Sequence, residues 1–571
     1  MSDRLRRGLA LLAALVVTGC GGVPDDGDVH LGRALPAVGS ADDAFDFDIK
    51  ALPPPWRSGM SPDEVVAGFL RAVVNGDGDY AIARSYLSSA AARGWDPVRS
   101  ITMYDGLQVK LSGAGTARSV RLHAVRTGAV DDRGDFDPTR GAVDASLGLS
   151  RLDGQWRIDR VPPGVLLSTL DAQRFVRLAR VYYPNRAGSA LVPEQTFVRT
   201  TQAGFATALI RTLLAGPGRW LAPAVTRVAP AGTALIGNVP VVDGVADVNL
   251  SPAARQATPE QLERLSAAVV WTLRQVPDIL SVRLLIDGSS LSLPGIGSTQ
   301  PVTAWPAYDP AAVVSGPTLF VADGRIHAVN GSAASLADRR DVVAVAESAT
   351  ADVVAVVRRL RAGMALATGP LGGTLIDRLT ARTMTPPSVD ADGNTFTVTT
   401  GPAGWRVMAV LRSGAVRQVS VEAVPVSSAL SAHAGPPVSS LRVSRDGARV
   451  AAVVDGRLLV GRVQPGPAGP VLAGFRDVLP TAFDVRGVSW LDAGDVIATV
   501  RSGRLTRGLV VTDVDGYADR TVSIDGVRGQ PVAVAAAPGR SLLVTVSGGT
   551  LWSESGGWHE VGRGSDAAYP A

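Results

Sequence analysis

The chain has 571 residues and a single cysteine, Cys20, so an intramolecular disulfide is excluded and the folded parts must rely on their hydrophobic cores. Its 56 basic and 52 acidic residues are interspersed and give a formal net charge of +4, which argues against nucleic-acid binding. With 63 Gly, 38 Pro and 5% aromatic residues, the composition favours several domains rich in turns and β structure.

The first twenty residues have the layout of a secretory signal peptide. A basic segment, MSDRLRR, precedes an apolar stretch at 8–17, and VTG places small residues directly before Cys20. The apolar stretch is too short to cross the ~30 Å core of a bilayer. The segment resembles the lipobox of bacterial lipoproteins, which implies removal of residues 1–19 and attachment of diacylglyceryl and N-acyl groups to Cys20. The alternatives are an incidental cysteine after a signal peptide and a buried core cysteine.

Residues 20–57 are predicted to be a flexible tether. Seven aspartates alternate with small residues until the run PPP at 53–55. Such a segment buries too little apolar surface to fold. A flexible linker of about 37 residues has an end-to-end distance of roughly 30–35 Å, which would lift the first domain clear of a membrane.

Residues 58–168 are predicted to form an α+β domain. The segment SPDE begins a helix with Ser61 as N-cap, and a second helix is expected over 79–91. Alternating apolar segments at 107–111, 119–125, 143–152 and 155–161 predict a curved antiparallel sheet. This order, with ARSYLSSAAARGWDP, resembles a cone-shaped NTF2-like domain. Such cones sometimes hold enzymes, but no acid/base pair stands out, and we interpret His123 as a strand residue.

A second α+β domain is predicted over 169–302. We expect a strand at 174–182, a helix at 204–217, a hairpin at 239–250 turning at DG, a helix at 258–277 opened by the capping box TPEQ, and a strand at 282–286. The segments LLAGPGRWLAPAV, DGVADVNLS and VVWTLRQVPDILSVRLLIDG resemble the GerMN domain of spore germination proteins. That resemblance implies binding or scaffolding. We interpret Trp220 and Trp271 as core packing and not as a ligand platform.

Residues 316–571 contain a repeat of strand, tight turn and apolar strand. The turns centre on Asp338, Asp392, Asp446, Ala493 and Pro538, with spacings of 54, 54, 47 and 45 residues. A repeat of this length and content predicts a β-propeller. Five turns imply five blades, or six if the first stretch is divided. We expect 319–329 and 550–558 to pair and close the ring.

The search for catalytic and metal-binding motifs is largely negative. The five histidines, His30, His123, His327, His433 and His559, are far apart and lack zinc-ligand spacing. The sequence has no G-x-S-x-G motif, and neither of its two lysines follows a serine at the required spacing. Acidic turns at 390–393 and 513–516 are interpreted as β-turns and not as calcium-loop fragments, since both lack the glutamate at the twelfth position. We therefore predict no catalytic residue, no metal and no cofactor.

The order of signal peptide, acidic tether, NTF2-like domain, GerMN-like domain and propeller resembles the LpqB lipoproteins of actinobacteria. The resemblance covers the whole mature chain. It implies a lipid-anchored protein on the extracytoplasmic face of the cell membrane, associated with the extracellular part of the sensor histidine kinase of an Mtr-type two-component system. It also implies an influence on cell-envelope homeostasis and division. The family offers no short partner-binding motif to carry over, so the interface residues stay unassigned.

The alternative is a cell-envelope enzyme that acts on a glycan or a small molecule in the propeller channel. Many propellers are enzymes, so the fold alone does not decide. The lack of a recognisable nucleophile, base or metal cluster favours binding over catalysis. A solute-binding lipoprotein is disfavoured because small tandem α+β domains do not resemble a hinged two-lobe fold.

Overall fold

The computed structural model describes residues 53–570 apart from 200–203, 314, 330–339, 349, 402–403, 423, 425–437, 468, 483 and 503–505. Cys20, His30 and His433 lie outside the described residues, as does the repeat turn predicted at Asp338. Within the described ranges, none of the α-helices has the length and hydrophobicity needed to cross a bilayer.

The first domain packs three helices against a curved, mostly antiparallel sheet. The helices are α1 (Pro62–Ala72), α2 (Asp77–Ser85) and α3 (Ser89–Gly94). The strands are β1 (Ser100–Ser112), β2 (Ala117–Asp131), β3 (Phe136–Asp137), β4 (Gly141–Leu152), β5 (Gln155–Arg160) and β6 (Val165–Ser168). The sheet order is β5, β4, β2, β1, β6, with β3 beside β2 and with β6 parallel to β1. The α+β prediction is confirmed, although β6 was not predicted.

The predicted helix at 79–91 is wrong, because two helices occupy this region. The chain leaves α2 at Tyr86 and pairs with β5, where the backbone N–H of Ile158 donates to Tyr86 O and that of Ser88 donates to Ile158 O, at 3.0 and 2.8 Å. The Ser88 hydroxyl then accepts from the N–H of Ala91 and caps α3. The start of α1 is as predicted, since Ser61 and Glu64 form a reciprocal capping box.

Residues 53–57, at the end of the predicted tether, contact the first domain. The Arg157 guanidinium lies 3.2 Å from the centroid of the Trp56 ring, and the Trp56 indole N–H donates to Trp156 O at 3.1 Å. The Tyr86 hydroxyl donates to Pro54 O at 2.7 Å. The polyproline segment is thus held by the domain that follows it.

The second domain places two helices against a small mixed sheet. A connecting helix, α4 (Thr169–Phe175), leads into the hairpin β7 (Val176–Pro184) and β8 (Leu191–Arg199). The remaining elements are α5 (Phe205–Ala215), β9 (Val241–Val242), β10 (Val245–Leu250), α6 (Pro259–Leu273), β11 (Ser281–Ile286), β12 (Ser289–Ser290) and β13 (Thr299–Pro301), with short 3-10 turns at Pro252–Gln256 and Pro306–Tyr308. The main sheet has the order β12, β11, β10, β9, with β10 and β11 parallel and β13 beside β11.

The turn and the capping box predicted from the sequence of this domain are present in the structure, and one strand begins later than predicted. Asp243 and Gly244 have φ values of 50° and 76°, as a type I′ hairpin turn requires, and Thr258 forms the predicted capping box with Gln261. The strand expected from residue 174 begins at Val176 instead. The preceding residues form α4, because the Ser168 side chain accepts from the N–H of Asp171 and caps a helix there.

The third domain is a β-propeller, and its described strands form six blades. Blade one consists of β16 (Val342–Ser348), β17 (Val353–Arg359), β18 (Met364–Gly369) and β19 (Ile376–Ala381), and blade two of β20 (Thr383–Met384), β21 (Ser388–Val389), β22 (Thr395–Gly401), β23 (Gly404–Val410) and β24 (Val416–Val421). Blade three consists of β25 (Val438–Val443), β26 (Arg449–Val454), β27 (Arg457–Gly466) and β28 (Gly469–Asp477), and blade four of β29 (Val488–Trp490), β30 (Asp495–Ser502), β31 (Thr506–Asp513) and β32 (Asp519–Val522). Blade five consists of β33 (Pro531–Ala535), β34 (Leu543–Val546), β35 (Thr550–Glu554) and β36 (Trp558–Arg563), and blade six of β14 (Leu319–Ala322), β15 (Arg325–Ala328) and β37 (Ser565–Ala568). The inner strands β16, β21, β25, β29, β33 and β37 contact one another in a closed ring.

The sixth blade closes the ring by joining the two ends of the domain. Strand β14 pairs with β15 and with the C-terminal strand β37. The prediction that 550–558 would pair with 319–329 is wrong, because β35 and the start of β36 belong to blade five. The closing strand, with the sequence SDAA, is short and lacks apolar alternation, so it gave no periodic signal.

Candidate functional site

Among the described residues, those singled out in the sequence for possible chemistry do not assemble into one centre. The exposed imidazole of His123 on β2 lies 2.8 Å from a carboxylate oxygen of Asp144 on β4. His327 on β15 stacks on Phe320, with ring centroids 5.4 Å apart, and His559 lies on β36. Among the described residues, no group of three or more His, Cys, Asp and Glu side chains is placed to hold a metal ion.

The acidic segments at 390–393 and 513–516 form turns that their own carboxylates stabilise. The Asp513 carboxylate accepts the backbone N–H groups of Asp515, Tyr517 and Ala518 at 2.8–3.0 Å. The Asp390 carboxylate accepts from the backbone and the side chain of Asn394 at 2.8 and 3.0 Å. These carboxylates therefore satisfy local backbone donors, as the β-turn interpretation predicts.

Aromatic, acidic and basic side chains lie together where the three domains meet, and we call this place the three-domain junction. Its centre is an aromatic cluster with one ring from each domain: Phe136 of β3, Phe197 of β8 and Tyr517 of the turn between β31 and β32. The ring centroids are 5.7 Å apart for Phe136 and Phe197, 5.2 Å for Phe136 and Tyr517, and 4.8 Å for Phe197 and Tyr517. Both contacts of Tyr517 are edge-to-face, a favoured geometry for aromatic pairs.

The loop before β3 brings the first domain against the second. The N–H of Phe197 donates to Gly134 O at 3.0 Å, so backbone meets backbone directly. Gly134 has a φ of 89°, and a Cβ there would lie 2.5 Å from the Thr196 hydroxyl oxygen and 2.7 Å from Phe197 O. Only glycine allows both this conformation and this approach.

Three half-buried carboxyl groups, of Asp135, Glu194 and Asp515, belong to the same junction. Both carboxyl oxygens of Glu194 accept from the N–H of Gly218, at 3.0 and 3.1 Å, and the next N–H, of Arg219, donates to Asp135 at 3.1 Å. Burial, together with the nearby Asp135 carboxylate, raises the pKa of Glu194 to about 8. Burial and the nearby Asp513 raise the pKa of Asp515 to about 6. Burial and Asp131 also raise the pKa of Asp135.

Two arginines of blade three connect the propeller to the other domains. Arg449 is fully buried, and its guanidinium donates to Pro193 O of the second domain at 2.5 Å. The Arg476 guanidinium donates to Phe136 O of the first domain at 3.1 Å and lies 3.8 Å from the Asp515 carboxylate. Guanidinium groups suit such positions because they keep their charge and satisfy several acceptors at once.

Further contacts join the second domain to blades three and four. The Trp220 indole N–H donates to Gly474 O at 2.6 Å. The Arg476 guanidinium lies 4.8 Å from the centroid of the Trp220 ring. Trp220 therefore packs at a domain interface, whereas Trp271 is buried within its own domain as predicted. Arg180 and Asp495 form an ion pair at 3.2 Å. The buried side-chain amide of Asn185 donates to Asp446 O at 3.0 Å.

The propeller channel holds a second group of charged side chains around a cavity of about 110 Å³. Arg442 donates to Pro387 O at 2.8 Å and lies 3.7 Å from Asp566. Asp566 in turn accepts from the N–H of Val345 at 2.8 Å. Glu347 is 3% exposed, and one of its carboxyl oxygens has no hydrogen-bond partner among the described residues. Burial raises its pKa to about 7, against the opposing effect of Arg540.

Sequence reasoning missed the three-domain junction. Its three aromatic rings come from segments separated by about 60 to more than 300 positions, and each residue fits a local pattern of strand, loop or turn. One usable signal was present: Trp220 lies in the loop segment GPGRW, and tryptophan is enriched at interfaces.

Three family models match separate parts of the chain. The LpqB N-terminal domain matches residues 55–173, a domain described as sporulation and spore germination matches 180–292, and the LpqB β-propeller domain matches 312–571.

Several proteins that are similar to this chain are named lipoprotein LpqB. Lipoprotein LpqB of Thermobifida fusca is 29% identical, over 98% of this chain and 97% of that protein. Lipoprotein LpqB of Cutibacterium acnes is 35% identical, over 55% of this chain and 52% of that protein. Among solved structures, the first GerMN domain of the sporulation protein GerM from Bacillus subtilis is 24% identical, with a TM-score of 0.19, over 22% of this chain and 94% of that one. The chain belongs to the LpqB lipoprotein family.

Proposed function

We propose that this lipoprotein is held on the extracytoplasmic face of the cell membrane by lipid on Cys20. There it acts as a binding and regulatory accessory of a sensor histidine kinase of the Mtr type, and it influences cell-envelope homeostasis and division. The lipobox pattern supports the anchor, and the LpqB domain order supports the partner. Two acyl chains hold a protein stably on a bilayer, whereas one does so only marginally.

The observation that carries the proposal is the three-domain junction. Aromatic rings, half-buried carboxyl groups and guanidinium groups hold the first two domains against blades three and four. A buried polar interface of this kind is costly to open, because each separated group would lose its partner. The three domains thus form a rigid platform, which suits a protein that presents surfaces at a set distance from a membrane.

Exposed apolar side chains on the second domain offer a place to test partner binding. Val242 and Leu280 are 65% and 66% exposed and lie at the turn between β9 and β10, where the N–H of Leu280 donates to Gly244 O. Val241 of β9 and Ile236, whose N–H donates to Asn249 O of β10, are also exposed. Exposed apolar groups that lie together commonly mark interaction surfaces.

The experiment is photo-crosslinking in intact cells, with a photoreactive amino acid placed at Val242 or at Leu280 in the anchored protein. We expect capture of a sensor histidine kinase from the membrane. The matched control carries the same photoreactive residue together with Cys20→Ala, which should release the protein to the medium or leave it unprocessed and abolish capture. Recovery of glycan alone would overturn the kinase assignment. A mature Cys20→Ala protein that stays in the membrane would overturn the anchor.

The second candidate is an enzyme that uses the propeller channel. Arg442 and Asp566 are committed to partners within the fold, which leaves Glu347 as the channel carboxyl available for acid/base work. We expect Glu347→Gln to restore wild-type envelope phenotypes in cells that lack the protein. Failure of this variant to complement, with normal abundance and thermal stability, would favour the enzyme.

A further inference from the structure

The first domain contains a cavity of about 210 Å³ between its helices and its sheet. The buried side chains that line it include those of Phe69 in α1, Val73 directly after α1, Trp95, Leu122 of β2 and Leu147 of β4. Apart from Thr102 and Asp144, the lining residues are apolar, glycine or proline. A natural core packed to normal density has few voids larger than a water molecule, and this space is several times larger than that.

The walls of the cavity are held in place. The Trp95 indole donates to Gly164 O at 3.1 Å. This bond connects the helical wall of the cavity to the segment before β6, which we call the lip. The Trp95 ring also packs against Phe69 and Tyr80, with centroids 5.5 and 5.6 Å apart. The Arg84 guanidinium lies 5.4 Å from the same ring. These contacts prevent the tryptophan from turning into the space, so the cavity is preformed.

The chemistry of the walls decides what can enter. Asp144 is the one charged residue of the lining, and its exposed carboxylate is paired with His123. A charged ligand group would therefore find no counter-ion inside, and burying it would be strongly unfavourable. An apolar cavity of ~150 Å³ stays dry and binds small hydrocarbons, and this cavity is larger. The part of a ligand that enters must be hydrocarbon.

The cavity also reaches the surface of the domain. Leu70, Ala145, Val161 and Leu166 line it and are half-buried. Since a water molecule takes up about 30 Å³, the space holds roughly seven groups of that size, comparable to the end of a hydrocarbon chain but not to a whole lipid. We propose that the first domain binds one acyl chain, whose end fills the cavity while its polar head stays outside.

This inference does not depend on the kinase partnership, and it is tested on the full-length lipoprotein in phosphatidylcholine vesicles. In one arm the vesicles receive a fatty acid with a diazirine on its chain. In the other arm the phosphatidylcholine itself carries the diazirine. After irradiation, mass spectrometry of peptides locates the label. We expect labelled residues within 66–73, 143–147 or 161–166, and competition by excess unlabelled fatty acid in the arm that labels.

Ala145→Trp should plug the cavity and lower this labelling by about tenfold, because overpacking removes the space that the chain needs. The matched control is Ala142→Trp on the same strand, where the side chain is exposed. If Ala145→Trp melts at a lower temperature than the control, Leu166→Trp in β6, just after the lip, replaces it. Labelling from the fatty acid alone identifies a free fatty acid as the ligand, and labelling from phosphatidylcholine identifies a membrane lipid. Label outside these peptides, label that neither plugging variant lowers, or no label in either arm overturns the proposal.

Discussion

Glu194 makes the stability of the three-domain junction fall as the pH rises. Its pKa is raised from 4.5 to about 8 by burial and by Asp135. A carboxyl group with a raised pKa in the folded state contributes its full stability below the unfolded pKa of 4.5. That contribution is lost as the pH rises through 8. We therefore expect the junction to weaken between neutral and mildly alkaline pH.

The size of the pH effect on junction opening follows from the difference in the pKa of Glu194 between the closed and open states. With Glu194 ionised in the open state and titrating near 8 in the closed state, the free energy of opening falls by about 1.5 kcal/mol between pH 6.5 and 8. Glu194→Gln keeps the shape of the protonated side chain and removes the titration. We expect this variant to lose the pH dependence and to open less readily than the wild type at pH 8.

Hydrogen exchange provides the assay, because the N–H of Gly218 is bonded to Glu194. The protection factor of a peptide spanning 214–222, corrected for the intrinsic effect of pH, should fall roughly tenfold from pH 6.5 to 8 in the wild type and stay level in Glu194→Gln. Glu263→Gln, at an exposed position of the same domain, is the control and should follow the wild type. Glu347, whose pKa is raised to about 7, is present in all three proteins and cancels in the comparison. Equal slopes in wild type and Glu194→Gln would refute the reasoning.

Three further predictions concern packing and caps. Phe197→Ala should lower the free energy of unfolding of the protein by about 3–5 kcal/mol, measured in urea, and by clearly more than Phe205→Ala at a half-buried position; equal losses would contradict the role of the aromatic cluster. Gly134→Ala should expose the chain between the first two domains to limited proteolysis, whereas Gly141→Ala, with open space around its Cβ position, should not; equal cleavage rates would count against the close approach. Ser61→Ala should destabilise α1 by about 1 kcal/mol, seen as faster hydrogen exchange in its first turns; unchanged exchange there would show that the capping box contributes nothing.

Features that depend on a few neighbouring residues could be predicted from the sequence. The capping boxes at Ser61 and Thr258 and the turn at Asp243-Gly244 each rest on local hydrogen bonds or on the φ preference of glycine. The propeller could be predicted as well, because its repeat spacing survives divergence of the individual blades. The closing strand β37 could not, since its four residues carry no apolar alternation.

The candidate site could not be predicted, because it is made of groups whose environment is set by other domains. Alternation on β8 indicates which side chains of that strand are buried, but not that Phe197 meets rings of two other domains. Glu194 on the same strand looks like an ordinary strand acid until Asp135 and the N–H of Gly218 are placed beside it. The prediction that Cys20 is lipidated rests on the sequence alone and stays a prediction.

The repeat turns of the propeller look alike in sequence, yet they have diverged in what they contact. At the turn of blade two, a Cβ on Gly393 would meet Ala351 and Val353, so this turn packs against its neighbouring blade. At the turn of blade four, a Cβ on Gly494 would lie 3.1 Å from the guanidinium of Arg180, so the second domain fills that space. The turn of blade three gives a carbonyl to Asn185 of the same domain. Docking within the chain therefore breaks the symmetry of the ring, because the second domain covers the turns of blades three and four.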